Sequence, residues 1–176
     1  MKHQDKNINN NEESDTADLA AEYVRDLSQE EFRSNLMKKL RPVEPRQFHR
    51  QHEKLIDMIS ELYMLIRTMQ RRRPTAEERQ ALFKMLGEFK QYAATHFREE
   101  ERYMQQTNFP GVTDHQAAHA RFVSKVLEVE ERVRNESVSY VVELFFMVID
   151  WLFSHINHMD RLYSDIHIKR WGPSKK

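Results

Sequence analysis

Four long segments of this sequence place apolar residues in alternating steps of three and four, and this spacing constrains the fold more than any other feature. The segments run from about residue 46 to 70, 75 to 106, 112 to 134 and 137 to 168. Steps of three and four put side chains on one face of an α-helix, so each segment predicts a helix with one buried stripe. Short connections between long helices favour antiparallel neighbours. We therefore predict an all-α protein, an up-down-up-down antiparallel four-helix bundle with a short N-terminal helical extension.

The residues before the first long segment have a different character. The chain starts with a run rich in Asn, Glu and Asp, which predicts disorder. Two short helical patterns follow; the second begins with Ser28 and Glu31 at capping-box spacing, and Pro45 ends this part. We expect a disordered tail at residues 1–14, a helical extension outside the main core at residues 15–45, the bundle at residues 46–170 and a second tail at residues 171–176.

Composition excludes several classes of function. The chain has 28 basic and 28 acidic residues, so no global field favours nucleic acid or an anionic membrane as a partner. It has no cysteine, which excludes disulfides, thiolate zinc sites, iron–sulfur clusters and cysteine nucleophiles. The start is too polar for a secretory signal, and no stretch approaches the uninterrupted apolar length of a membrane span. A cytoplasmic protein without a membrane span is expected.

The predicted buried stripes are apolar except where they contain histidine or glutamate. In the first and third helices these polar positions lie near the N-terminal end, and in the second and fourth near the C-terminal end. Antiparallel packing brings those four ends together, so the sequence predicts one polar cluster at one end of the bundle. The polar positions on the stripes are His52, His96, Glu100, His115, His119 and His155.

A buried cluster of this kind needs a compensating partner, and a metal ion provides one. A structural layer of hydrogen-bonded histidines is the alternative. His115 and His119 are four residues apart, so both can bind one ion. Asp160 follows His155 by five residues, about 140° further round an α-helix, where its carboxylate can reach sideways and bridge two ions. Five imidazoles with two carboxylates exceed one tetrahedral zinc site and suit two first-row metal ions, preferably iron.

Other metal and nucleotide motifs are missing from the sequence. It contains no Glu-x-x-His pair of the ferritin-like di-iron proteins, no HExxH of zinc proteases, no GxGxxG and no P-loop. The predicted ligands are rich in histidine and poor in carboxylate. Such a set favours reversible ligand binding over oxidative attack on a substrate.

The stretches around these residues resemble the hemerythrin family, in particular the bacterial hemerythrins. The matching stretches cover about residues 46–165 and read QHEKLIDMI, HFREEERYM, FPGVTDHQAAHARF and WLFSHINHMDRLY. Two features depart from the family pattern. His49 stands where the family usually has Asp, three residues before the first ligand, and the N-terminal arm with its Trp is replaced by a charged helical segment. We expect His49 to lie beside the ligands or face solvent, and His158 to lie at the rim.

The resemblance implies a di-iron centre with seven ligands. Three histidines would hold one iron, two would hold the second, and two carboxylates would bridge both with an oxo or hydroxo group. O2 would bind at the second, five-coordinate iron and be held there as a hydroperoxide. The first iron would be held by His115, His119 and His155, the second by His52 and His96, and the bridging carboxylates would be Glu100 and Asp160. The residues at family pocket positions, which would keep the site dry, are Phe97, Phe122, Trp151, Leu152 and Ile156.

The leading interpretation is therefore a non-enzymatic protein that binds O2 reversibly for storage, delivery or buffering. Two alternatives remain. One is an oxygen, redox or nitric oxide sensing module that acts through its N-terminal extension, and the other is an enzyme that turns over peroxide or nitric oxide. Dioxygen is the expected partner. The chain is expected to be a monomer or a weak homo-oligomer, with residues 15–45 available to a protein partner.

Overall fold

A computed structural model of this chain describes residues 26–135 and 140–174. These residues form six α-helices and one π-helical turn, with no β-strand among them. The elements are α1 (Gln29–Lys39), α2 (Arg46–Arg71), α3 (Ala76–Gln106), α4 (Val112–Asn135), α5 (Tyr140–Ser154), the π segment (His155–Asp160) and α6 (Arg161–Trp171). The last three follow each other without a break and form the fourth helix of the bundle.

The four bundle helices pack as the sequence predicts. α2 contacts α3, α3 contacts α4, α4 contacts α5, and α5 returns to contact α2. Short connections therefore lead to antiparallel neighbours all round the bundle. The prediction of an all-α, antiparallel four-helix bundle is confirmed.

Two capping boxes fix where α1 and α3 begin. The Ser28 hydroxyl accepts a hydrogen bond from the Glu31 amide at 3.2 Å, and the Glu31 carboxylate accepts one from the Ser28 amide at 2.9 Å. Thr75 and Glu78 repeat this pair of bonds with the same distances. Each cap satisfies helix-terminal amides that otherwise lack a partner and contributes about 1 kcal/mol.

The loop between α3 and α4 depends on its glycine. A Cβ added at Gly111 would lie 2.6 Å from the ring of Phe109, which is buried. Asn108, next to Phe109, has a φ of 53°, in the left-handed region that Asn tolerates better than most residues. This tight turn places the first residues of α4 beside the end of α3, where several of the predicted ligands lie.

The predicted stripes are buried at nearly every position, and the departures occur mainly in the fourth helix. The steps of three and four also place Tyr103 of α3, and Met159 and Leu162 of the fourth helix, on the predicted stripes, but Tyr103 is only half-buried. Met159 is also half-buried and Leu162 is 57% exposed, whereas Tyr163 is buried. The two predictions for the fourth helix are wrong because the π segment contains one residue more per turn than an α-helix, so the buried stripe moves on by one position.

The described part of the N-terminal extension belongs to the main core. Phe32 and Leu36 of α1 are fully buried, and the Phe32 ring stacks on Tyr63 of α2 with centroids 4.0 Å apart. The expectation that the extension lies outside the core is therefore wrong for this part. Apolar residues four apart are enough to give this charged helix one buried face. The predicted tail at residues 1–14, and the helical pattern before Asp26, fall outside the described residues.

The fourth helix is also the described stretch with the highest apolar content. Tyr140–Trp171 is long and apolar enough to cross a membrane by length and composition; an 18-residue stretch of it has a mean hydropathy of 1.3, and half of that stretch is buried inside the bundle. Val141, Phe145 and Leu152 lie in the core and account for much of the apolar character. The expected absence of a membrane span stays a prediction.

Candidate metal centre

The structure brings all seven predicted ligand side chains together at one end of the bundle. None is more than 4% exposed. Two groups emerge in which the potential ligand atoms lie within 4.8 Å of one another, and Glu100 belongs to both. The first group contains Glu100, His115, His119 and His155, and the second contains His52, His96 and Glu100.

The first group is a three-histidine group on α4 and the π segment. Nε2 of His155 lies 3.0 Å from Nε2 of His119 and 3.0 Å from Nε2 of His115. His115 and His119 are one helical turn apart on α4, so their rings point the same way. Three Nε2 atoms therefore converge on one point.

The second group is a two-histidine group that joins α2 to α3. Nε2 of His52 lies 3.0 Å from Nε2 of His96, and the two rings are nearly perpendicular. Both residues are predicted stripe positions, so bundle packing alone aims them at each other. A second pair of nitrogens therefore converges beside the first group.

Two carboxylates lie between the groups. Asp160 presents Oδ2 to Nε2 of His52 at 3.2 Å and Oδ1 to Nε2 of His155 at 3.1 Å. Glu100 presents Oε1 to Nε2 of His52 at 3.6 Å and Oε2 to Nε2 of His119 at 3.6 Å. Each carboxylate therefore faces one histidine from each group. This is the arrangement that two bridging ligands require.

The separations between these atoms fit metal ions better than a hydrogen-bonded polar layer. With a metal–nitrogen bond of about 2.1 Å, neighbouring nitrogens lie ~3.0 Å apart in an octahedron and ~3.4 Å apart in a tetrahedron. The observed 3.0 Å separations match the octahedral value. In addition, Glu100 Oε2 and both Asp160 oxygens are buried without a hydrogen-bond partner among the described residues. Such oxygens are costly to bury unless a cation satisfies them.

The π segment explains how Asp160 reaches the site. The sequence-based expectation placed Asp160 on the flank of a regular helix, about 140° round from His155. Instead, residues His155–Asp160 form a π-helical turn, whose wider circuit brings residues five apart close to the same face. Asp160 therefore comes to face both histidine groups through a change in local backbone geometry rather than through a sideways reach of the side chain.

Hydrogen bonds at the outer ring nitrogens fix which imidazole nitrogen faces the centre. Gln51 donates its amide N–H to Glu99 at 2.6 Å, which turns its carbonyl oxygen toward Nδ1 of His96 at 2.8 Å. Nδ1 of His119 lies 2.9 Å from a carboxylate oxygen of Glu101. An oxygen acceptor at Nδ1 requires the proton there, which leaves the lone pair of Nε2 for a metal ion.

Tyr163 is a member of the site that sequence reasoning missed. Its hydroxyl donates a hydrogen bond to Glu100 Oε1 at 2.5 Å, and the ring is buried. Burial and the nearby Glu100 charge raise the pKa of the Tyr163 hydroxyl well above its ordinary value, so it remains a donor. The sequence pattern did not predict Tyr163 as a buried residue, because a regular α-helix would place Leu162 on the buried stripe instead.

The metal-free cluster contains two kinds of histidine. Burial lowers the pKa of His52 and His115, but close contact with the two negatively charged carboxylates outweighs burial and raises each pKa to about 9. At His96 and His119 burial dominates and lowers the pKa to about 4 and about 3. Burial acts to raise the pKa of both carboxyls, yet the surrounding imidazoles hold each below its usual range. Near neutral pH, the imidazolium groups of His52 and His115 therefore face the two carboxylates.

An aromatic wall closes one side of the cluster. The Phe97 ring stacks on His119 with centroids 3.9 Å apart, and the Trp151 ring stacks on His155 at 4.3 Å. Phe122 in turn stacks on Trp151 at 3.9 Å. Of the five residues predicted to keep the site dry, these three contact each other and two of them contact ligand rings. The other two, Leu152 and Ile156, are buried in the core.

The remaining described histidines lie outside the two ligand groups. His49 is half-buried and lies 3.8 Å from Glu53, and burial lowers its pKa. His158 is exposed, and its Nδ1 lies 2.9 Å from the carbonyl oxygen of Ser154. His167 bonds to the hydroxyl of Tyr103. None of the three belongs to either ligand group.

Comparison with known proteins agrees with this geometry. The hemerythrin HHE cation-binding domain matches residues 45–165, so the chain belongs to this family. It is 31% identical over 116 residues to a bacteriohemerythrin of Stenotrophomonas maltophilia, covering 65% of this chain and 69% of that protein. It is 26% identical to a bacteriohemerythrin of Clostridium acetobutylicum over 65% of this chain and 87% of that protein. A myohemerythrin of Riftia pachyptila is 29% identical over 49% of this chain and 77% of that protein.

Proposed function

We propose that this chain is a di-iron protein that binds O2 reversibly, in the service of oxygen storage, delivery or buffering. The observation that supports this most is the pair of buried histidine groups with two carboxylates facing both. Two iron ions held there would supply the two electrons that reversible O2 binding uses. With three histidines on one side and two on the other, the ligand set is one imidazole short at the His52 and His96 side, which leaves room for a small ligand.

The protein residues contribute binding, orientation and exclusion of water. Gln51 and Glu101 hold two imidazoles with their lone pairs inward. Tyr163 holds the Glu100 carboxylate in position. Phe97 and Trp151 cover the ligand rings, which keeps the cluster dry and slows loss of a bound ligand to water.

Reversible oxygenation can be tested on the full chain. The purified protein is loaded with Fe²⁺ without oxygen, exposed to O2, and then flushed with argon through several cycles. We expect two iron ions per chain by elemental analysis and a visible absorption band that appears with O2 and disappears on flushing. A protein that contains one zinc ion, or that oxidises at once without a reversible band, would overturn the proposal.

We further propose that the protein acts without catalytic turnover, as a cytoplasmic monomer or weak oligomer. The closed aromatic wall and the histidine-rich ligand set support a binding role. Peroxide and nitric oxide consumption, measured with a physiological reductant, should not exceed that of a His119→Ala variant. Sustained turnover above that control would identify an enzyme instead.

Sensing is a second candidate, and one observation favours it. The end of α1 and the residues after it hydrogen-bond to Asn157, so the extension contacts the π segment that contains two of the candidate ligands. If the protein senses O2, protease accessibility of the extension or the oligomeric state should change with oxygenation. If neither changes, a sensing role is excluded.

A further inference from the structure

The linker between α1 and α2, residues 40–45, runs along the outer side of the π segment and α6. Asn157 contacts the backbone around the linker with both ends of its side-chain amide. Its Oδ1 accepts a hydrogen bond from the Arg41 amide at 3.0 Å, and its Nδ2 donates one to the Lys39 carbonyl at 3.1 Å. One side chain therefore makes the donor and acceptor pair that a neighbouring backbone would make.

Two more side chains continue this contact. Arg161 donates to the carbonyl oxygen of Pro42 at 2.9 Å, and the Ser164 hydroxyl accepts from the Glu44 amide at 2.8 Å. The three side chains, here called the latch (Asn157, Arg161 and Ser164), follow each other in steps of four and three, so they lie along one side of the helix. The linker backbone is thus bonded at three points, and the end of α1 at a fourth, to the helix that contains two of the candidate ligands.

The position of Asn157 gives the latch a consequence for the metal centre. Asn157 lies inside the π segment, between His155 and Asp160. A π-helical turn is rare and less favourable than an α-helical one, so contacts specific to its backbone position are needed to hold it. An α-helical turn over the same residues would rotate Asn157 relative to the linker and break its two hydrogen bonds. The same rotation would move Asp160 away from His52 and His155.

We propose that Asn157 is a positioning residue for the metal centre. It holds the π segment in the form that places Asp160 between the two histidine groups, and it thereby makes the N-terminal extension part of the metal site. This inference rests on the metal-binding half of the proposed function and is independent of whether O2 binds.

The attachment of the extension does not itself depend on Asn157. Phe32 and Leu36 bury α1 in the core, and Arg67 and Arg71 both bond to Asp26 just before it. A change at Asn157 therefore leaves the extension packed and releases the π segment alone. We expect the effect to appear in metal affinity more than in the stability of the fold.

Coupling between the two sites is reciprocal. If docking of the linker favours metal binding, metal binding must favour docking of the linker by the same free energy. The amides of Arg41 and Glu44 donate to the latch, so their hydrogen exchange reports docking. Both should exchange more slowly in the metal-loaded protein than in the metal-free protein.

The test compares full-length variants by anaerobic titration with Fe²⁺ and, separately, with Co²⁺ as a spectroscopic probe. Asn157→Ala removes both hydrogen bonds, and Asn157→Asp keeps the acceptor for Arg41 but places a carboxylate against the Lys39 carbonyl. His158→Ala is the matched control, since His158 is the exposed neighbour in the same segment. We expect both Asn157 variants to lose affinity by about 10- to 100-fold and to shift the Co²⁺ absorption bands, with the control unchanged.

Wild-type affinity and spectrum in Asn157→Ala would overturn the inference. So would equal exchange of the Arg41 amide in the loaded and metal-free wild-type protein, a measurement that needs no variant. If the wild-type chain binds metal but fails to bind O2 reversibly, the proposed function fails and this inference stands, because neither readout involves oxygen.

Discussion

Asp160 Oδ1 lies 3.1 Å from Nε2 of His155, although five residues separate the two along a continuous helix. In a regular α-helix, residues with this spacing point about 140° apart. The π segment closes most of that angle and lets one element provide both a histidine and a carboxylate. It also moves the buried stripe by one position, which brings Tyr163 to Glu100.

Removal of the carboxylate from the π segment should reduce metal content. Asp160→Ala takes away the group that faces both His52 and His155, so we expect at most one ion per chain by elemental analysis. His158→Ala, in the same segment but exposed, should keep two. Two firmly bound ions in the Asp160→Ala protein would show that this residue does not bridge the groups.

Removal of one hydroxyl should weaken metal binding without loss of the fold. Tyr163→Phe deprives Glu100 of its buried donor, and we expect about tenfold weaker binding in a competition titration with a chelator. Tyr103→Phe serves as the control, because that hydroxyl bonds to His167 away from the carboxylates. Equal affinities in the two variants would mean that the Tyr163 bond has no role in metal binding.

The negative charge of Glu101, which lies beside Nδ1 of His119, should strengthen metal binding at this histidine. Glu101→Gln keeps an acceptor for Nδ1 of His119 but removes the negative charge, and we expect about 10- to 100-fold lower affinity. The same change at Glu128, an exposed partner of Lys125 on α4, should have no effect. Calorimetric titration of both variants decides the point, and unchanged binding by Glu101→Gln would contradict it.

The stability of the metal-free protein should fall at high pH. The pKa of His52 and of His115 is about 9 in the folded protein against 6.5 as the ordinary value. A histidine whose pKa is raised by folding stabilises the folded protein fully below pH 6.5, because it is protonated there in both states. This stabilisation is lost as the pH rises through about 9, where the folded protein also loses the proton. Urea unfolding of the metal-free protein should therefore show a lower midpoint at pH 9.5 than at pH 7. The midpoint should also fall in acid, because the carboxyl pKa values are lowered.

Metal binding should release the protons held by His52 and His115 in the metal-free protein. Ions displace the protons of His52 and His115, so loading at pH 7 should release protons, seen as a buffer-dependent heat in calorimetry. A midpoint that is equal at pH 7 and pH 9.5 without metal, together with no proton release, would contradict the assignment of these two histidines as charged.

The extension should contribute measurably to the stability of the bundle. Phe32 is 1% exposed and stacks on Tyr63, so Phe32→Ala should lower the free energy of unfolding by about 3–5 kcal/mol. Leu162→Ala is the control for truncation of an exposed apolar residue and should change it by less than ~1 kcal/mol. Denaturant unfolding measures both. Equal small effects would mean that α1 is not part of the cooperative fold.

Much of this protein could be predicted from its amino-acid pattern. The steps of three and four determine four amphipathic helices, and short connections make their neighbours antiparallel. The polar positions on those stripes lie at one level, so the positions of His52, His96, His115 and His119 along the chain are enough to predict that they meet. Periodicity works here because helix packing depends on which side of a helix a residue occupies, and that is a local property.

The remainder depended on tertiary structure. A π turn has no local sequence signature, because it is retained only when distant contacts, such as those of the linker with Asn157, favour it over an α-helical turn. The buried position of α1 likewise depends on the surface that α2 offers to Phe32. The sequence by itself determined which helices and which ligand types are present. Only the packing of the assembled bundle decided how Asp160 reaches the centre, that Tyr163 bonds to Glu100 and that the extension contacts the π segment.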